Sequence, residues 1–177
     1  MAQCIRGMAK RLDARFEGGR KAKMIIADIA ELRAAIKPGA RLLGLDLGEK
    51  TIGLALSDTL LTVATPTATL RRGRFVGDAR KLEEIVVEAG VGGFVIGLPL
   101  NMDGSEGPSA QSARAFGRNM AVRSSLPIFF WDERLSTAAV TRTLISADAS
   151  RKRRAEVVDK MAAAFILQGA LDRLRNL

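Results

Sequence analysis

Apolar residues recur along the chain with two kinds of spacing, which predict the order of its strands and helices. Short apolar runs bounded by turn residues predict strands, and three- or four-residue spacing predicts helices. The predicted strands are Arg41–Leu47, Thr51–Ser57, Ala64–Leu70, Val91–Gly97 and Pro127–Trp131. The predicted helices are Lys23–Ile36, Phe75–Ala89, Ser109–Ser124, Ser136–Ala147 and Lys152–Arg175.

The connections between these elements predict the fold class. The three-residue turn Gly48–Lys50 is too short for a crossover, so the first two strands form an antiparallel hairpin. The first three strands therefore form an antiparallel meander, whereas the later strands alternate with helices and are parallel. This order predicts an α/β domain with a mixed five-stranded sheet flanked by helices.

Positive charge is concentrated near the N-terminus. The chain has 28 Lys and Arg against 19 Asp and Glu, a net charge of +9. Residues 1–41 hold ten basic and four acidic residues, which accounts for +6 of this total. Residues 1–22 show no clear apolar periodicity, so we expect a basic N-terminal arm and short helix over residues 1–36, followed by one domain over residues 37–177. The excess charge favours nucleic acid as a partner, although the core is only mildly basic.

The composition excludes several classes of function. The chain has no histidine and one cysteine, Cys4, so it cannot form a Ser-His-Asp triad, a cysteine-built zinc site or an intrachain disulfide. No stretch approaches the roughly 20 apolar residues of a membrane span, and no apolar region follows the basic start as in a secretory signal. We expect no membrane association and a cytoplasmic location.

Two aspartates lie where the pattern predicts burial. Asp46 has only Leu and Gly as near neighbours in its strand, and Asp159 shares the apolar stripe of the last helix with small residues. A buried carboxylate needs a partner, a metal ion or a functional role. The alternatives are a turn-capping role for Asp46 and an ion pair with Arg or Lys for Asp159.

A third group of charges, Asp132–Arg134, follows the last predicted strand, where ligands of α/β sheets gather. Period-two alternation through Phe129 and Trp131 favours Glu133 over Asp132 as the functional acid. Asp132 could instead cap the next helix. Asp132 and Asp103 stay open as alternatives to Glu133 in binding a metal ion. Asp46, Glu133 and Asp159 together would form an oxygen-ligand site suited to Mg²⁺ or Mn²⁺, the chemistry of phosphoryl transfer without histidine.

The remaining candidate residues are expected to contact nucleic acid. The loop after the fourth predicted strand is longer than a plain connection and contains Asn101. Basic residues at the start of the last helix oppose its dipole, so a phosphate partner would help to explain them, although a solvated charge run is the more common explanation. The complete set of predicted nucleic-acid-binding residues is Lys50, Asn101, Arg134, Arg151, Lys152, Arg153, Arg154 and Lys160.

Four segments in order resemble the successive motifs of the YqgF family: Leu45–Asp58, Gly97–Gly107, Asp132–Thr137 and Val158–Ala163. These are Holliday-junction-resolvase-like proteins, also described as nucleases that mature the 5′ end of pre-16S ribosomal RNA. The resemblance implies a ribonuclease H-like fold and places the family's acidic positions on Asp46, Glu133 and Asp159. It also implies a metal-dependent endonuclease that hydrolyses phosphodiester bonds in structured nucleic acid, with a ribosomal RNA precursor as the favoured substrate.

Three other functions stay open. A Holliday-junction resolvase acting on DNA would use the same acids, and an RNA-binding or transcription-associated protein would keep them as a structural network. An actin-like nucleotide-binding module is disfavoured because it needs two such domains, and 177 residues provide one. The sequence does not distinguish a monomer from a homodimer.

Overall fold

A computed structural model of the chain describes residues 25–135 and 151–177; for residues 151–160 it gives the course of a helix but no side-chain detail. The predicted arm of residues 1–22 and the predicted helix Ser136–Ala147 lie outside the described residues. The strands are β1 (Ile25–Ile26), β2 (Arg41–Leu47), β3 (Thr51–Ser57), β4 (Ala64–Arg71), β5 (Val91–Leu98) and β6 (Ile128–Asp132). The helices are α1 (Ile29–Ala35), α2 (Phe75–Ala89), α3 (Pro108–Arg123) and α4 (Arg151–Arg175), and a 3₁₀ turn covers Glu133–Leu135. In these ranges, no helix is both long and apolar enough to span a membrane.

The six described strands form one mixed sheet in the order β1-β6-β5-β2-β3-β4. Strands β2, β3 and β4 pair antiparallel, as the short turn Gly48–Lys50 predicts. Strand β5 pairs parallel with β2 on one side and with β6 on the other, as expected for strands joined through helices. The predicted mixed α/β sheet is confirmed, but with one more strand than the five predicted.

The additional strand, β1, corrects the prediction of a helix beginning at Lys23. Ile25 and Ile26 pair parallel with Ile128 and Phe129 at the edge of the sheet. The helix begins only at Ile29, where the Asp28 carboxylate accepts a hydrogen bond from the Ala30 backbone N–H at 2.8 Å. The two isoleucines fit a helical stripe by spacing alone, but pairing with β6 and the cap at Asp28 determine their structure.

The core has one layer on each face of the sheet. Helices α2 and α3 cover one face, where Leu43, Leu45, Phe94 and Ile96 are buried. Helices α1 and α4 cover the other face, in a cluster that includes Leu42, Val95, Trp131, Ala163 and Leu167. Alternate residues of β2 and β5 therefore face opposite layers, which fixes the face on which each polar residue of these strands lies.

Helix α4 approaches the centre of the sheet closely because Gly44 has no side chain. A Cβ atom at Gly44 would lie 2.7 Å from Leu167 Cβ and 3.0 Å from the carbonyl oxygen of Ala163. Since neither atom can rotate away, glycine is required for α4 to pack at this depth. The contact also fixes the position of α4 along β2.

Candidate active site

Asp46 lies on the α4 side of the sheet, two residues beyond Gly44 on β2. Its cross-strand partner on β3 is Gly53. On the other side, Leu45 pairs with Ile96 of β5, so the next residue, Gly97, adjoins Asp46. The half-buried Asp46 carboxylate therefore stands between two strand positions without side chains, which leaves space around it on this face.

Glu133 lies on the same side of the sheet as Asp46, immediately after β6. It is buried, with 8% of its surface exposed. A Cβ atom at Gly97 would lie 2.6 Å from Glu133 Oε1 and 2.5 Å from Ile166 Cδ1 of α4. The Glu133 carboxylate thus packs directly over the glycine that adjoins Asp46. The structure brings these two predicted acids to one place, on either side of Gly97.

The backbone position of Asp159 points to the same edge of the sheet. Helix α4 runs antiparallel to β2. Gln168, late in the helix, hydrogen-bonds the backbone of Thr62 and Ala64, where β4 begins. Because β4 runs in the same direction as β2, the end of α4 lies at the beginning of these strands. Asp159 is four residues before Ala163, or about 6 Å along the helix. Asp46 is two residues beyond Gly44, or about 7 Å along the strand in the same direction. The Asp159 side chain lies outside the described part of the chain.

Asp132 and Asp103, the alternatives to Glu133, have other partners. Asp132 Oδ2 accepts a hydrogen bond from Arg134 Nη2 at 2.7 Å, which lowers the pKa of Asp132. Asp103 Oδ1 accepts from the hydroxyl and the backbone N–H of Ser105 at 2.6 and 2.9 Å, and these bonds lower the pKa of Asp103. Of the three acids, Glu133 is the one that packs over Gly97.

The predicted nucleic-acid-binding residues whose side chains are described lie near this edge of the sheet. Arg134 is paired with Asp132. Asn101 donates to Ser105 Oγ at 2.8 Å within the long loop, which approaches Arg134 at Gly104. Lys50 is exposed in the turn between β2 and β3. The other predicted cations, Arg151, Lys152, Arg153, Arg154 and Lys160, lie on the first turns of α4, and their side chains are not described.

Sequence reasoning missed two residues that shape this site. The sequence marks Gly97 as the end of a strand and the start of the Gly97–Gly107 motif, but it does not show that the absence of its side chain makes room for Glu133. The second residue is Arg72, which no sequence pattern singles out. Its Nη1 donates to the carbonyl oxygen of Gly48 at 2.6 Å and its Nη2 donates to Ser112 Oγ at 2.9 Å. Arg72 therefore ties the turn after Asp46 to α3, and no local pattern signals partners so distant in sequence.

The described donors fit a divalent cation such as Mg²⁺ or Mn²⁺. Two carboxylates on one side of the sheet, beside glycines that leave room for an ion, are the hard oxygen ligands these cations prefer. Among the side chains that the structure describes, no cluster of three or more acidic or cysteine residues forms a complete metal site. The third predicted ligand, Asp159, belongs to the part of α4 without described side chains.

Two carboxylates meet on one face of the mixed sheet, Asp46 on β2 and Glu133 just after β6, with β5 between these two strands. This is the arrangement expected of the ribonuclease H-like nucleases that the sequence motifs resemble. The chain belongs to the RuvX family, described as Holliday junction resolvase, whose model matches residues 40–173. This finding confirms the predicted family, the predicted fold class and the predicted class of enzyme, a nuclease acting on phosphodiester bonds.

Similar proteins cover most of the chain. A protein of Roseobacter denitrificans named "Putative pre-16S rRNA nuclease" is 59% identical over 154 residues, which are 86% of this chain and 94% of that protein. A protein of the same name from Paramagnetospirillum magneticum is 64% identical over 143 residues, 81% of this chain and 92% of that protein. A Thermus thermophilus RuvC structure in complex with a Holliday junction substrate superposes with a TM-score of 0.47 at 12% identity, covering 76% of this chain and 95% of that one.

Proposed function

We propose that this chain is a divalent-metal-dependent endonuclease that cuts structured RNA, with the precursor of 16S ribosomal RNA as its substrate. The observation that carries the proposal is the placement of Asp46 and Glu133 on either side of Gly97. The proposed substrate follows the names of relatives that match this chain over more than nine-tenths of their length. A cytoplasmic location is part of the same proposal, because the precursor is made there.

In the proposed site, Asp46 and Glu133 would hold the cation, and Asp159 would supply a third carboxylate from α4. When bound, the cation stabilises the charge that develops on the phosphoryl group and activates water for attack. Glu133 is held in place by burial against Gly97 and Ile166. The turn that follows Asp46 is anchored by Arg72. Both carboxylates are therefore preorganised, which electrostatic catalysis requires.

The experiment compares wild type with Asp46→Asn, Glu133→Gln and the matched control Asp103→Asn. Each substitution removes one carboxylate charge, but Asp103 bonds Ser105 within its own loop. With Mn²⁺ and a precursor RNA spanning the 5′ end of 16S, we expect the first two variants to lose cleavage and the control to keep it. RNA binding measured on the same samples should persist in all three, because one carboxylate contributes little to a broad electrostatic contact.

Metal binding supplies a second measurement that does not depend on cleavage. A ligand bound only by the folded state raises the melting temperature, so Mn²⁺ should stabilise wild type and Asp103→Asn but not Asp46→Asn. An equal shift in Asp46→Asn would place the metal elsewhere. Cleavage by Asp46→Asn at the wild-type rate would refute the catalytic role of this residue.

A second candidate function is resolution of four-way DNA junctions, because the matching family is described by that activity. The same acids would serve both substrates, so the substitutions above do not distinguish them. Purified wild type should therefore be offered both the precursor RNA and a four-way junction with Mn²⁺. Cleavage of the junction alone would support the second function, and cleavage of neither would leave a binding protein.

A further inference from the structure

Four cations lie together where β4 ends, beside the turn that follows Asp46. We call Lys50, Arg71, Arg72 and Arg74 the β4 basic edge. The backbone N–H of Arg72 donates to the carbonyl oxygen of Lys50 at 2.9 Å, which joins the two segments. Lys50, Arg71 and Arg74 are exposed, and Arg72 is half-buried.

The cations on the two sides of Asp46 differ in their pairing. On the β5–β6 side, Arg134 pairs with Asp132 and Arg114 pairs with Glu106. Among the described residues, no ion pair engages the cations of the β4 basic edge. Of the described cations compared on the two sides of Asp46, those without an ion pair therefore lie on the β3–β4 side.

Among the described residues, the nearby acids form no ion pair with this cluster. Asp78 is buried, with 2% of its surface exposed, and its two carboxylate oxygens accept hydrogen bonds from the Gly73 backbone N–H at 3.1 and 3.0 Å. Glu49 is an exposed neighbour of Lys50 in the turn. Asp78 thus holds the turn between Arg72 and Arg74 rather than pairing with either arginine.

The local backbone adds to the positive potential. Helix α2 begins immediately after Arg74, its N-cap residue, which makes no side-chain capping bond. A helix N-terminus carries partial positive charge, which Asp78 in the first turn of α2 offsets in part and which the adjacent Arg74 opposes. A bound phosphate would relieve both the repulsion among the cations and the opposition to the helix dipole.

The distance between the β4 basic edge and Asp46 suits a nucleic-acid strand that passes through the site. Thr69 of β4 pairs with Gly53 of β3, and Gly53 pairs with Asp46 of β2, so these three residues lie on the same face of the sheet. Arg71 lies on that face too, one two-residue step beyond Thr69 along β4. Two strand spacings and one such step separate the backbones of Arg71 and Asp46 by about 12 Å. At a stacked rise of roughly 3.4 Å, this corresponds to three or four nucleotides of one strand.

We propose that Lys50, Arg71 and Arg74 bind backbone phosphates of the nucleic acid on the β3–β4 side of Asp46. Arg72 is a positioning residue that fixes this edge to the turn after Asp46 and to Ser112. The substrate strand then leaves the site across β4 rather than across β6, where the arginines are already paired. This inference rests on the proposed function only in taking nucleic acid as the ligand.

The test compares two double variants that remove the same charge. Arg71→Ala with Arg74→Ala removes two exposed cations of the edge. Arg33→Ala with Lys37→Ala removes two exposed cations at the opposite end of the sheet, on α1 and just after it. The affinity for a labelled RNA hairpin with a single-stranded extension is measured by fluorescence anisotropy over a series of salt concentrations, without metal.

We expect Arg71→Ala with Arg74→Ala to weaken RNA binding at low salt. The slope of log affinity against log salt concentration should become shallower by about 1.4, which corresponds to the loss of two phosphate contacts. The second pair should change the slope by less than half as much. Equal changes in both would mean that net charge alone matters and would overturn the proposal. Should the alanine pair fold poorly, Arg71→Gln with Arg74→Gln keeps the side-chain length.

The result is independent of the cleavage experiment. Wild type that binds the hairpin through this edge but cuts no substrate would contradict the proposed function and leave this inference standing. Wild type that cuts RNA while the edge variants bind it unchanged would refute this inference alone. Failure of wild type to bind the hairpin at low salt would also refute it.

Discussion

The substitution Gly97→Ala tests the candidate site directly, because one methyl group would occupy the space into which Glu133 packs. The added Cβ atom would lie 2.6 Å from Glu133 Oε1 and 2.5 Å from Ile166 Cδ1. An ordinary contact needs at least 3.4 Å, so each atom must move by about 0.8 to 0.9 Å. Both atoms are the far ends of side chains that can rotate, whereas the strand cannot move.

The expected loss of stability is moderate. Extra methyl groups in packed cores cost about 1 to 3 kcal/mol, and the two movable neighbours favour the lower half of this range. For a domain of this size, about 1.5 kcal/mol lowers the melting temperature by roughly 3 to 6 °C. Calorimetry should therefore find a folded, cooperative variant.

The expected loss of activity is much larger. A displacement of about 1 Å in a catalytic constellation can reduce the rate roughly 100-fold. We expect the kcat for RNA cleavage with Mn²⁺ to fall by about 10- to 100-fold. Wild-type kcat in a folded Gly97→Ala variant would refute the role of Glu133 as a metal-holding carboxylate.

Gly77→Ala is the matched control for this experiment. A Cβ atom at Gly77, in the first turn of α2, would meet nothing within 4 Å. Alanine in a helix is about 0.5 to 1 kcal/mol better than glycine, so this variant should melt slightly higher and cut RNA normally. Loss of activity in the control would show that the assay responds to something other than the site.

Two further substitutions test the packing and the acid stability of the fold. Gly44→Ala places a Cβ atom against Leu167 Cβ and the Ala163 carbonyl oxygen, neither of which can rotate away. We therefore expect urea titrations to show a loss of about 3 kcal/mol in the free energy of unfolding. A loss under about 1 kcal/mol would contradict the close packing of α4. Hydrogen bonds, the largest from the Thr62 hydroxyl, lower the pKa of Asp58 to about 2. A lowered folded-state pKa contributes stability that is present above the unfolded value of about 4 and is lost as the pH falls through the folded value. The stability advantage of wild type over Thr62→Val should therefore shrink between pH 4 and pH 2, and an advantage independent of pH would contradict this assignment.

Local patterns predicted most of the strands and helices because each has strong local signals. Helix α2 begins and ends at the predicted residues, Phe75 and Ala89, and Gly90 caps it in the left-handed conformation, with φ of 66°. The prediction of a helix from Lys23 was wrong at its start because Ile25 and Ile26 fit the helical spacing of the residues that follow. Their structure depends on a β6 edge that lies about a hundred residues away in sequence.

The face on which Glu133 lies could be predicted because side-chain alternation in a strand is local. The alternation through Phe129 and Trp131 places Glu133 on the α4 side, where the structure has it packed over Gly97. The function of Gly97 and Arg72 could not be predicted, since each depends on neighbours brought together by the sheet order. The catalytic and metal-binding roles of Asp46, Glu133 and Asp159 remain predictions for the experiments above.

Trp131, the single tryptophan of the chain, gives this protein a built-in optical reporter. Its indole ring packs so tightly against α4 that a Cβ atom at Gly169 would lie 2.7 Å from Trp131 Cζ2. The same residue precedes Glu133 by two positions on one side of the sheet. Any loosening of α4 would admit water to the ring and shift its emission, with no interfering signal from a second tryptophan. Fluorescence can therefore follow, in real time and without a label, whether the helix carrying Asp159 is seated while metal or nucleic acid is added.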